Sequence, residues 1–164
     1  MRRHSSSTDV VATPQLQFRS AAAQDLPTLV ALLADDAVAA DRESAAVGAT
    51  HEEALDAILA DPNHHLLVAE SDGALAGFAQ LSFLPGLTYA GGWRAQLEGV
   101  RVAPGLRGQG VGQALIKQAI VLSRDRGCVL VQLTTDRRRP EAIAFYERLG
   151  FVASHHGMKL RLER

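Results

Sequence analysis

The chain has 164 residues, enough for one domain with a sizeable core. Apolar residues make up 47% and charged residues 21%, the balance of an ordinary soluble globular fold. A net charge of −1 offers no field for nucleic acid or an anionic membrane, and the single cysteine excludes an intrachain disulfide and suits a reducing cytoplasm.

Residues 1–14 are rich in Ser and Thr with little apolar content, so a flexible leader is expected before a single domain over 15–164. No apolar stretch follows Arg2 and Arg3 to make an export signal, and no run approaches the ~20 apolar residues of a membrane span. A short strand is expected over 16–20. Asp25 precedes a helical stripe of Leu26, Leu29, Val30 and Leu33. The polar, alanine-rich stretch 35–49 closes that helix and leads into a mobile connection. Thr50 with Glu53 reads as a capping box opening a second helix, with Ala54, Leu55, Ile58 and Leu59 on its stripe and an end at Asp61-Pro62.

Residues 65–70 and 75–83 read as strands around a hairpin turn at Ser71-Asp72-Gly73. A glycine-bearing loop over 84–93 leads into a strand with Leu97, Val100 and Val102, stopped by Pro104-Gly105. A third major helix follows and ends over 125–127, and 129–135 reads as a fifth strand. Pro140 suits the first turn of a last helix that runs to Leu149 with Gly150 as its C-cap. Residues 151–154 and 158–162 are expected to close the sheet as a hairpin. This order of β-α-α-β-β-β-α-β-α-β-β belongs to the α/β class with a mixed sheet, not to an alternating doubly wound fold.

The stretch QLEGVRVAPGLRGQGVG, residues 96–112, concentrates the chemistry. A glycine-rich turn opening a helix leaves main-chain N–H groups unpaired, and the helix dipole adds partial positive charge there. Three glycines let the backbone approach a ligand closely. Arg107 adds a charged fork at the lip, so the turn reads as a pyrophosphate cradle. A P-loop would need Lys and then Ser or Thr after the last glycine, and Gly112 is followed by Gln113 and Ala114. The dinucleotide fingerprint G-x-G-x-x-G also fails, because these glycines run G-x-G-x-G.

The pattern R-G-x-G-x-G after a V-x-V-x-P strand resembles the acyl-CoA signature of the GNAT superfamily of N-acetyltransferases. Residues 141–151, EAIAFYERLGF, look like the same family's A-x-x-F-Y-x-x-x-G-F helix. The element order is also that family's, so the resemblance covers nearly the whole chain from Leu16. It implies a GNAT-like fold whose central strands splay apart, with acetyl-CoA lying between the organising strand and the fifth strand. It further implies that the amide near Val100 faces the thioester carbonyl. The amide of Val102 and those of Arg107, Gly108, Gln109, Gly110, Val111 and Gly112 would hold the pantetheine and pyrophosphate. The family often has an asparagine where this chain has Arg139, so Arg139 either replaces that cofactor contact or the contact is lost. A homodimer is plausible on the same resemblance.

Transfer of an acetyl group to a primary amine requires the amine to lose a proton and the oxyanion and thiolate to be stabilised. Gly99 inside a strand marks a bulge that would leave a strand amide unpaired. In simple alternation Glu98 shares a side with Val100 and Val102, where partial desolvation would raise its pKa toward that of a useful base. A bulge at Gly99 would instead turn Glu98 out to solvent. Tyr146 carries a hydroxyl that packing does not need and is the candidate acid for the departing thiolate, or a hydrogen bond that only holds the sulfur. Trp93 and Arg94 read either as acceptor-site residues on a loop or, for Trp93, as a plug at the sheet's edge.

Cys128 reads as packing. The pairs His64-His65 and His155-His156 are poor chelators, because neighbours on a strand point to opposite faces, so no metal is expected. The run 137–139 of three arginines suits the 3′-phosphate of coenzyme A or a solvated loop equally. Asp35, Asp36 and Asp41 offer a cationic amine an acidic surface or are solvated. Besides acetyl transfer to a small-molecule or peptide amine, two other readings stand: a non-catalytic acyl-CoA sensor, and transfer of a bulkier acyl group such as succinyl with Arg94 or Arg101 facing its tail.

Overall fold

In the computed structural model, residues 15–36 and 45–162 are described; the expected leader and most of the connection after the first helix lie outside them. The chain runs β1 (Gln17–Ser20), a 3-10 turn (Ala23–Asp25), α1 (Leu26–Ala34), α2 (Ala49–Ala60), β2 (His64–Ser71) and β3 (Ala74–Leu84). The single turn α3 (Thr88–Gly91) then precedes β4 (Trp93–Val102), a second 3-10 turn (Pro104–Leu106), α4 (Val111–Asp125), β5 (Cys128–Leu133) and α5 (Pro140–Arg148). Five strands form one sheet in the order of the chain. The first three pairings are antiparallel, β1–β2 across the segment that holds α1 and α2, β2–β3 through a tight hairpin and β3–β4 across α3, whereas the crossover through α4 makes β4–β5 parallel.

Strand alternation sends side chains to two apolar layers. Leu67, Ala69, Leu81 and Leu97 meet Val111, Leu115, Ile116 and Ala119 of α4 on one face. Leu66, Val68 and Phe78 meet Leu29 and Leu32 of α1 and Leu55 of α2 on the other. Helices on both faces explain why Leu66, Leu67, Val68 and Ala69 are all buried in succession. No helix among the described residues is long and apolar enough to cross a membrane.

Two expectations are corrected. The second helix begins at Ala49 with Gly48 as its cap, and His51, not Glu53, accepts the N–H of Gly48 through Nδ1 at 3.2 Å. Thr50 already lies inside the helix, because Gly48 takes the extended φ of −129° that a cap requires. The closing hairpin is absent: residues 151–162 hold no strand. A strand's register is fixed by burying one face, and this segment buries none. Val152, Met158, Leu160 and Leu162 are all exposed, while the Ser154 N–H bonds locally to Val152 O at 2.9 Å. In this structure β5 is therefore an edge of the sheet.

The corner between β1 and α1 is clamped by charge. Arg19 donates to both oxygens of Asp25 at 2.7 and 2.9 Å and to Glu70 Oε1 at 2.6 and 2.9 Å. The Ala22 N–H donates to Asp25 Oδ2 at 2.7 Å. The Arg19 guanidinium, chiefly through these hydrogen bonds, holds the Asp25 carboxyl below its usual range. Its folded pKa lies below its unfolded one, so its contribution is complete above the unfolded value, near pH ~4, and fades as pH falls through the folded value. We expect Asp25→Asn to cost about 1–3 kcal/mol at neutral pH and to flatten the loss of stability in acid. Urea unfolding followed from pH 7 down to pH 3 measures both.

Candidate active site

Gly99 shapes the reacting end of β4. Opposite β3, Phe78 pairs with Arg101 and Gln80 with Glu98, so two steps on β3 face three on β4 and Gly99 and Val100 have no residue opposite. Gly99 takes φ of +61°, a left-handed conformation that glycine adopts without a Cβ penalty. On the other side, pairing with β5 stops at Leu97 and Leu133, where the Gln132 side-chain amide donates to Gln96 Oε1 at 2.8 Å. There β5 ends as a strand. Gly99 and Val100 thus have no register partner on β3 or β5, which is the bulge the glycine implied.

The bulge also decides the fate of Glu98. It returns Val100 and Val102 to the apolar layer under α4 but leaves Glu98 on the opposite face with Arg101, the face of Phe78. Glu98 is exposed there. The expectation of a desolvated carboxylate among valines is not met, because one extra residue reverses the alternation.

The N-terminus of α4 comes next to this bulge. Gly110 caps the helix in a left-handed conformation, φ 86°. Among the described residues, the amides of Gly108, Gly110, Val111 and Gly112 donate to no protein acceptor. They stand at the positive end of a helix of 15 residues. Two residues of the motif are turned to the protein itself. The Gln109 amide bonds Leu106 O at 3.4 Å, and its side chain donates to Gly105 O at 2.8 Å. Arg107 donates to Val102 O at 3.2 Å and to Asp35 Oδ2 at 2.6 Å.

Tyr146 is fixed by the end of its own helix. Gly150, φ 91°, lets the Gly150 N–H bond Glu147 O at 3.0 Å and the Phe151 N–H bond Tyr146 O at 3.1 Å, a Schellman motif. The turn brings the Phe151 ring edge-on to the Tyr146 ring, centroids 5.6 Å apart, and Phe145 flanks it at 5.1 Å. The F-Y-x-x-x-G-F spacing is thus a capping device as well as an apolar face. A Cβ on Gly112 would stand 3.6 Å from both Phe145 and Val102, so the head of α4, the bulged end of β4 and the helix bearing Tyr146 adjoin. Burial pushes the Tyr146 phenol above its usual pKa, and the charges of Arg101 and Arg139 oppose that rise.

An ionic cluster that sequence reasoning missed lies beside them. Asp36, just past α1, is bonded by Arg101 at 2.8 Å and by Arg139 at 2.5 Å, both to Oδ2. Asp35 and Asp36 are therefore bound to arginines of the protein rather than lying open. Asp35–Arg107 spans 72 residues and Asp36–Arg139 spans 103, so these pairs leave no mark in local sequence. Arg139 occupies the cap position of α5 and turns its guanidinium to this cluster.

Trp93 and Arg94 are placed elsewhere. Both belong to the first turns of the β4 ladder, Trp93 packed into the apolar layer and opposite Cys128, so neither sits on a loop. Some six strand residues, roughly 20 Å, separate them from the bulge. Cys128 is half-buried, and burial pushes its thiol pKa up, as packing would. No group of three metal-binding side chains occurs among the described residues. The acetyltransferase (GNAT) family model matches residues 28–151.

This chain belongs to that family. A chain from Bacillus halodurans C-125 described as a transcriptional regulator superposes with a TM-score of 0.88 at 43% identity, covering 90% of this chain and 100% of that one. A glucosamine 6-phosphate N-acetyltransferase of Trypanosoma brucei brucei is 38% identical over 55% of this chain and 59% of its own length. An aminoalkylphosphonate N-acetyltransferase of Salmonella typhimurium is 34% identical over 59% of this chain and 62% of its own length. The match thus spans about three fifths of these two relatives.

Gly99→Ala tests the bulge. The added Cβ would stand 3.5 Å from Phe78 Cε2, an ordinary contact, so the cost is conformational. We expect a loss of about 1–2 kcal/mol, seen as a lower urea midpoint with an unchanged slope.

Proposed function

We propose that this GNAT chain transfers the acetyl group of acetyl-CoA to a primary amine of a small molecule. The observation that carries the reading is the meeting of three features: unpaired amides at the head of α4, a stretch of β4 without register partners, and a half-buried phenol. Acetyl-CoA is the co-substrate that GNAT acetyltransferases use. The relatives named above act on amines by their descriptions, an amino sugar phosphate and an aminoalkylphosphonate.

In this reading the amides of Gly108, Gly110, Val111 and Gly112 bind the pyrophosphate, and the Val100 amide donates to the thioester carbonyl as it becomes an oxyanion. The amine nitrogen forms a bond to the carbonyl carbon, and the carbon–sulfur bond breaks. Tyr146 gives its proton to the departing thiolate. Because Glu98 is exposed on the face of Arg101, it takes the amine proton through an intervening water. No enzyme-bound acyl group is needed, which fits a Cys128 thiol kept protonated by burial.

A second reading, an acyl-CoA sensor without turnover, is favoured by the likeness to a chain described as a transcriptional regulator. Free thiol released from acetyl-CoA across a panel of amines separates the two; no release with any amine would leave only the sensor. Tyr146→Phe is expected to lower kcat about 10²-fold or more at saturating amine, with little change in thermal stability. An unchanged kcat would remove Tyr146 from the proton step. Because burial raises the phenol pKa, activity governed by this acid should persist through neutral pH and fall only above the ordinary phenol range. A pH–rate profile compared between wild type and Tyr146→Phe reads this directly.

A further inference from the structure

Resting on the acetyl-transfer reading, we propose that the acceptor amine carries an anionic group (phosphonate, phosphate or carboxylate) and that Arg101 and Arg139 hold that group. The geometry is a seat for one oxyanion. Arg101 comes from β4 and Arg139 from the cap of α5, yet a terminal nitrogen of each reaches the same oxygen, Asp36 Oδ2, at 2.8 and 2.5 Å. The Arg139 nitrogen also reaches Asp36 Oδ1 at 2.6 Å. The side chains are largely withdrawn from water, 17%, 24% and 6% exposed for Arg101, Arg139 and Asp36. Guanidiniums favour planar, paired contacts with carboxylate and phosphate oxygens, and Asp36 shows two of them converging on such an oxygen.

The seat stands where an acceptor must lie. Arg101 shares a face of β4 with Glu98, three residues before it. At the rise of a strand their Cα atoms are roughly 7–10 Å apart, which the reach of an arginine shortens to the length of a small aminoalkyl chain. Arg139 caps α5, the helix that carries Tyr146, so the seat and the proposed acid are set by one element. An amine poised for Glu98 and Tyr146 would thus place a tail of a few bonds at Arg101 and Arg139.

Asp36 fills the seat from within the protein. It is the second residue past the end of α1. A ligand oxyanion would take the place of its carboxylate on the same nitrogens. A neutral or cationic tail would have no such exchange to offer, so the seat selects by charge.

The experiment compares 3-aminopropylphosphonate with n-butylamine, two primary amines of similar reach, at saturating acetyl-CoA. The readout is the ratio of their kcat/KM values, from which any loss common to both acceptors cancels. The wild type is expected to favour the phosphonate. Arg101→Gln and Arg139→Gln should each cut the ratio about tenfold or more, and Asp36→Asn should keep it or raise it. In parallel, thermal shifts of the full chain with coenzyme A present should be larger for the phosphonate than for butylamine. This second readout needs neither turnover nor a variant.

A wild-type ratio at or below one, or a ratio unchanged in both arginine variants, overturns the assignment. Thiol release with neither of these amines, nor with any amine of the wider panel, would defeat the transfer reading. In that case equal thermal shifts from the two amines would overturn the seat as well, whereas a larger shift from the phosphonate would sustain it.

Discussion

A main-chain N–H withdrawn from water has to find an acceptor, and this fold is arranged so that a few of them do not find one in the protein. Gly99 and Val100 fall between two ladders, because β3 skips them and β5 has already ended. The amides from Gly108 to Gly112 that donate to no protein acceptor stand at the head of α4. The bulged end of β4 and the head of α4 meet beside the helix that carries Tyr146. The ladders also slip at Ala69/Glu70 and at Trp93/Arg94, but only at Gly99 and Val100 does the irregularity lie next to free helix amides.

Charge completes what the amides begin. Asp35 and Asp36 follow the last turn of α1 and tie it to β4, to the turn before α4 and to the cap of α5. Arg107, half-exposed, gains little from its pair with Asp35 because solvent screens it. The Asp36 cluster is more deeply set, so losing one member there leaves a charge poorly solvated. The two aspartates are neighbours in sequence but differ in kind: one pair is at the surface, the other cluster is largely withdrawn from water.

Much of this was legible in the sequence, for identifiable reasons. Long apolar runs placed β2 to β4, because strands buried on both faces need them. The glycine turn and the F-Y-x-x-x-G-F spacing were legible because each is a local backbone device whose residues lie within a dozen positions. The bulge at Gly99 could be anticipated, but its effect on Glu98 needed the count of residues on β3 opposite it. The final hairpin was over-read: Met158, Leu160 and Leu162 alternate as a strand does, but alternation states only that a face could be buried, not that a layer is there to bury it. Trp93 lies five residues before Glu98, at the other end of the same strand, and packs there into the apolar layer, as a plug at the sheet's edge would. The Arg101–Asp36–Arg139 cluster joins three distant segments, and nothing short-range announces it.

Gly150 touches neither the glycine turn nor the bulge in β4, yet it governs how the phenol between them is aimed. Its left-handed turn folds Phe151 back over the ring of Tyr146 and anchors the carbonyl of that residue. A side chain there would meet no neighbour within 4 Å but would strain the left-handed turn, and with it the placement of the Tyr146 ring. Surveys confined to pocket-lining positions would overlook such a control point, and a collection of slow but well-folded variants would reveal it.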